Sequence, residues 1–141
     1  MDKDQVISNV KSTLESDQKI QAIYLFGSHA TNTVNPMSDI DIAVLLDEEM
    51  VEDMVEIYWE LLRRISDALH TDRLDLVILN ESEPVLKFNV IKDGILIYER
   101  DSVARVRFER RTINEYLDMQ YIWEYYDAQL KKRLLEDTSG D

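Results

Sequence analysis

The apolar positions along the chain change period several times, and each change predicts an element. Val6, Val10 and Leu14 recur at every fourth residue, which predicts a helix over about 4–17 with one buried stripe. QAIYLF (21–26) is an unbroken apolar run stopped by Gly27, the pattern of a strand buried on both faces. Residues 29–38 are polar, with Asn35-Pro36 and Ser38 as turn residues, so a loop or short helix and a turn are expected there. DIDIAVLL (39–46) alternates strictly. Ile40, Ile42, Val44 and Leu46 face one way, and Asp39, Asp41, Ala43 and Leu45 the other. Over 48–70 the spacing turns helical, through Val51, Met54, Tyr58, Leu61, Ile65 and Leu69. RLDLVIL (73–79) predicts another strand, PVLKFNVI (84–91) a short helix ended by Gly94, and ILIYE (95–99) a last strand. Residues 102–136 read as one long helix, and 137–141 as a disordered tail.

This order of elements predicts an α+β fold: one mixed sheet of about four strands, flanking helices and a long C-terminal helix. A chain of 141 residues, 45% of them apolar, is expected to form one domain over 1–141, with its core at about 4–100. The absence of cysteine excludes disulfides and thiolate metal sites and suits a reducing cytoplasm. The first 17 residues lack the apolar stretch of a signal peptide, and no apolar run approaches the ~20 residues of a membrane span. The net charge of −13 repels phosphate backbones, so direct nucleic-acid binding is not expected. One island departs from this balance. RDSVARVRFERR (100–111) gathers five arginines against two acids.

The strand carboxylates carry the candidate chemistry. Asp39 and Asp41 share one face of their strand, and Asp75 lies in a second strand among apolar neighbours. If those strands are adjacent, three carboxylates converge. Two such charges about 5 Å apart repel by roughly 3 kcal/mol at an effective dielectric of about 20. A divalent cation relieves that repulsion, and oxygen donors select a hard ion, Mg²⁺ or Mn²⁺. Gly27-Ser28 directly follows a strand, where glycine lets the backbone approach a phosphate and serine offers a hydroxyl and free N–H groups. The combination points to phosphoryl or nucleotidyl transfer.

YLFGS (24–28), SDIDIAVL (38–45), LDLVIL (74–79) and GILIYERD (94–101) resemble the nucleotidyltransferase fold of the DNA polymerase β superfamily. Within it, the chain is most similar to the minimal nucleotidyltransferase (MNT) antitoxins. The resemblance implies that Gly27 and Ser28 bind the triphosphate of ATP and that Asp39, Asp41 and Asp75 bind metal and serve catalysis, Asp75 as ligand or as the group that activates the nucleophile. It further implies a HEPN-domain ribonuclease toxin as partner, with AMP passed from ATP to a toxin tyrosine hydroxyl, and a hetero-oligomer of the two. Many members carry arginines after the Gly-Ser pair; this chain has His29-Ala30-Thr31.

Two other functions stay open on the residues alone. A small-molecule nucleotidyltransferase of the aminoglycoside type shares the carboxylates, although a chain this short leaves little for an acceptor pocket. A binding-only antitoxin would act through helix 102–136. That helix holds Tyr116, Tyr121, Trp123, Tyr125 and Tyr126, more aromatic residues than one core-facing stripe accounts for. A broad core contact and a partner surface explain them equally, and the arginines at 105–111 divide in the same way between a solvated face and a docking patch.

Overall fold

The computed structural model describes residues 2–31 and 39–139. Helix α1 (Lys3–Leu14) is opened by a reciprocal cap. The Gln5 N–H donates to the Asp2 carboxylate at 2.8 Å, and the Asp2 N–H donates to the Gln5 side chain at 3.1 Å. The helix buries Val6, Val10 and Leu14, as the spacing predicts. Strand β1 (Ile20–Phe26) leads into a single-turn helix α2 (Ser28–Thr31). The remainder of the polar loop and turn expected at 29–38 lies outside the described residues. Strand β2 (Ile40–Leu46) follows.

The helix expected over 48–70 is interrupted. Glu48–Met50 form a 3₁₀ turn, and helix α3 spans Met54–Leu69. The break has a local cause: Asp53 accepts from the N–H groups of Val55 and Glu56 and so fixes an N-terminus there. Ile57, Leu61, Ile65 and Leu69 form the buried stripe of α3. His70 ends it in the left-handed region, at φ 53°. Strand β3 (Leu74–Ile78), helix α4 (Pro84–Asp93), strand β4 (Ile95–Glu99) and helix α5 (Ser102–Ser139) complete the chain. α5 runs three residues past the end expected at 136, because no glycine or proline interrupts it before Gly140.

The four strands form one mixed sheet in the order β3-β2-β1-β4. β1 is central and antiparallel to both β2 and β4, whereas β2 and β3 run parallel around the α3 crossover. Ile23, Leu25, Ile42, Val44 and Leu46 pack on α1 and α3 on the back face. Ala22, Tyr24, Ala43 and Leu45 pack with Val90 of α4 and Phe108 of α5 on the front.

Polar clips hold the layers. Arg64 donates to the Asp17 carboxylate at 2.9 Å and to the Thr13 carbonyl at 3.1 Å, joining α3 to the end of α1. The Asn80 side chain pairs with both backbone groups of Leu46, at 2.9 and 2.8 Å, extending the sheet edge by one side chain. On the front, the Tyr24 hydroxyl donates to Glu109 at 2.7 Å, and Arg105 bridges Glu109 and Glu99. Burial, with the Glu109 carboxylate beside it, pushes the Tyr24 phenol far above its ordinary range. No helix among the described residues is long and apolar enough to cross a membrane.

Candidate active site

The front face of the sheet ends, at the close of β1 and the start of β2, in the residues singled out by their sequence pattern. In β1–β2 pairing Phe26 stands opposite Asp41, and in β2–β3 pairing Asp41 stands opposite Asp75. The two carboxylates therefore leave neighbouring strands on the same face. Asp39 precedes β2 by one residue, and the Ile40 N–H donates to the Arg73 carbonyl at 3.0 Å, which anchors the start of the strand against β3.

Gly27 turns the chain from β1 into α2 with φ 71°, a backbone that side chains rarely adopt. A Cβ at this position would lie 2.1 Å from Oδ2 of Asp41. The glycine is thus required twice, once for the turn and once because the Asp41 carboxylate rests against its backbone. Ser28 starts α2 and is half-buried.

Asp41 is half-buried, while Asp39 and Asp75 are exposed. Burial raises the Asp41 carboxyl above the usual carboxylate range, and the charges of Asp75 and then Asp39 push the same way. His29 acts against them. This imidazole is buried directly after Ser28, and its Nδ1 has no hydrogen-bond partner. Its position after the Gly-Ser pair was the one sequence signal for it, and only the fold shows it beside Asp41. Asp39, Asp41 and Asp75 thus lie at one end of neighbouring strands, with Gly27 and Ser28 beside Asp41.

Among the described residues no group of three histidine, aspartate or glutamate side chains is placed to hold a metal ion, so the gathering of Asp39, Asp41 and Asp75 around one ion expected from the sequence is not preformed. The donor chemistry, carboxylate oxygens beside an open glycine turn and no sulfur, is that of a hard divalent ion that completes its shell with water and phosphate oxygens. A cavity of about 290 Å³ lies elsewhere, at the other end of β2 under α5. It is lined by Asp47, Asn80, Lys87, Arg107, Arg111 and the buried, unpartnered Thr112, some five strand residues from Asp41, or roughly 17 Å.

The arginine island divides. Arg105 is drawn into the Tyr24–Glu109–Glu99 cluster, whereas Arg107, Arg110 and Arg111 stay exposed without an ion pair among the described residues.

Residues 8–103 match the family described as polymerase beta, nucleotidyltransferase. The chain is 33% identical over 111 residues to a protein adenylyltransferase MntA of Shewanella oneidensis, covering 79% of this chain and 76% of that protein. It also resembles a chain from the crystal structure of a toxin–antitoxin with AMP-PNP, at 29% identity and a TM-score of 0.69, covering 92% of this chain and 98% of the other. A structure of a tri-AMPylated Shewanella oneidensis HEPN toxin in complex with its MNT antitoxin is similar at 28% identity and a TM-score of 0.68, covering 91% and 98%.

Proposed function

Because the chain belongs to the polymerase β nucleotidyltransferase family, we propose that it transfers AMP from ATP to a tyrosine hydroxyl of a HEPN ribonuclease toxin and thereby silences it. The observation that carries this reading is the carboxylate end of the sheet: Asp41 opposite Asp75, Asp39 two residues away, and Gly27 packed on the Asp41 carboxylate. The relatives named above favour a toxin acceptor over an aminoglycoside-type small molecule.

In the proposed reaction the tyrosine oxygen attacks the α-phosphorus of ATP. The bond from that phosphorus to the α,β-bridging oxygen breaks, and pyrophosphate leaves. Asp75, exposed at the rim, takes up the hydroxyl proton. The Gly27-Ser28 turn seats the triphosphate, with the bare glycine backbone allowing close approach. Asp39, Asp41 and Asp75 are the residues that would hold Mg²⁺ or Mn²⁺, which when bound neutralises phosphate charge and makes the attacking hydroxyl more acidic. Burial, with Asp75 and Asp39 beside it, disfavours the charged form of Asp41, a cost that a bound cation would offset. A cysteine-free chain supports action in the cytoplasm, as one domain with a catalytic core over 4–100.

The test is intact-mass measurement of the cognate HEPN toxin after incubation with this chain, ATP and Mg²⁺. The reading expects mass increments of AMP on the toxin, absent with Asp41→Asn. An unmodified toxin that the chain nonetheless inhibits would replace catalysis by occlusion.

A further inference from the structure

The face that fastens α5 to the domain continues after the domain has ended. Phe108 and Thr112 are buried on that face, and Tyr116 beside it stacks on Phe88 of α4, with ring centroids 3.8 Å apart. Steps of three and four residues carry the same face onward through Met119, Ile122, Tyr126 and Leu130, flanked by Trp123 and Leu134. Every residue from Gln120 to Asp137 is exposed. Trp123 is 50% exposed, Tyr126 66% and Leu130 53%. At 1.5 Å per residue this overhang extends for about 27 Å. Most helical stability in proteins comes from packing of an apolar face rather than from propensity. The apolar period of the overhang therefore specifies burial that this chain does not provide.

We propose that the overhanging stripe Met119–Ile122–Tyr126–Leu130 is the surface on which the HEPN toxin docks. The inference rests on the function proposed above and adds where the substrate is held. The acceptor in that function is a protein side chain, so the enzyme must grip a protein. α5 lies on the front of the sheet, since Phe108 packs with Ala43 and Leu45, whose side chains share the face of Asp41. A toxin seated on α5 thus approaches the same sheet face as Asp41, from the far end of β2 that α5 covers. In the Shewanella oneidensis relative the toxin stays in complex with its antitoxin after AMPylation, which requires a hold beyond the reacting hydroxyl. Tyrosine and tryptophan in a stripe are the residues that dominate binding at such surfaces.

The experiment compares the full-length wild type with an Ile122→Asp/Tyr126→Asp double variant, whose positions are exposed and leave the core intact. Three quantities are measured: affinity for the cognate HEPN toxin, affinity for ATP with Mg²⁺, and molar mass by light scattering. The expected result is at least a tenfold loss of toxin affinity, with a raised KM for toxin, an unchanged kcat and unchanged ATP binding. Toxin binding equal to that of the wild type would overturn the proposal. So would no toxin binding by the wild type, or a wild-type homodimer that the variant dissolves while toxin affinity persists; the last assigns the stripe to a second copy. A wild type that binds the toxin through this stripe but adds no AMP supports the docking surface and sinks the transfer reaction alone.

Discussion

The two faces of the sheet are built to different ends. Among the described residues, seventeen buried apolar side chains from α1, α3 and the strands form one continuous cluster on the back. On the front only seven do, and they share their layer with the Tyr24–Glu109–Arg105–Glu99 cluster, an unpartnered Thr112 hydroxyl and the Asp41 carboxylate. The difference teaches where stability and chemistry separate. Apolar burial on the back secures the fold, so the front can carry like charges that oppose it. Asp41 illustrates the cost: its raised carboxyl means that the ionised form is disfavoured by its surroundings.

The largest break of this contrast is a back-face cavity. Leu61→Ala, at a fully buried position, is expected to cost about 3 kcal/mol, seen as a lowered midpoint in urea unfolding. A loss below about 1 kcal/mol would mean that the back cluster is not the main source of stability.

Asp41→Asn sharpens the contrast from the front. AMP transfer is expected to fall by at least about a hundredfold, while the thermal midpoint without metal stays level or rises. The sign follows from linkage. A carboxyl raised in the folded state binds its proton more tightly there, so its ionisation weakens the fold as pH rises through that range. Added Mg²⁺ should raise the wild-type midpoint and leave that of Asp41→Asn nearly unmoved. Equal metal stabilisation of both proteins would remove Asp41 from the ion's ligands.

Tyr24→Phe is smaller. It removes one hydrogen bond to Glu109, which keeps Arg105 as a partner, and about 1 kcal/mol of stability should go with it in thermal unfolding. No change would mean that the front polar cluster contributes nothing to holding α5.

The smallest effect is at the back rim. Burial raises the Asp17 carboxyl, but the Lys19 N–H and Arg64 outweigh it and hold the group below its ordinary 3.8. Stability from this depressed carboxyl is fully present above about pH 4 and is lost as pH falls through its folded value. The gap between wild type and Asp17→Asn, a fraction of a kcal/mol for this half-buried pair at the rim, should narrow as pH falls below about 4. A gap constant over that range would place the effect in packing instead of charge.

Local rules made most of this legible in advance. Val6-Val10-Leu14, the QAIYLF run and the alternation of DIDIAVLL each state a period, and a period depends only on neighbours in the chain. The same alternation put Asp39 and Asp41 on one face, and the Gly27 turn was visible because few residues adopt its backbone. The helix α3 begins later than its apolar pattern, because the Asp53 cap fixes its N-terminus. Other features had no local signature at all. That β2 and β3 run parallel with Asp41 facing Asp75, that His29 is buried beside that pair, and that Tyr24 finds Glu109 85 residues away are consequences of strand order and layer packing. Side-chain period is a property of a segment, whereas coupling between charges needs a distance, and the tertiary structure alone sets distances between segments.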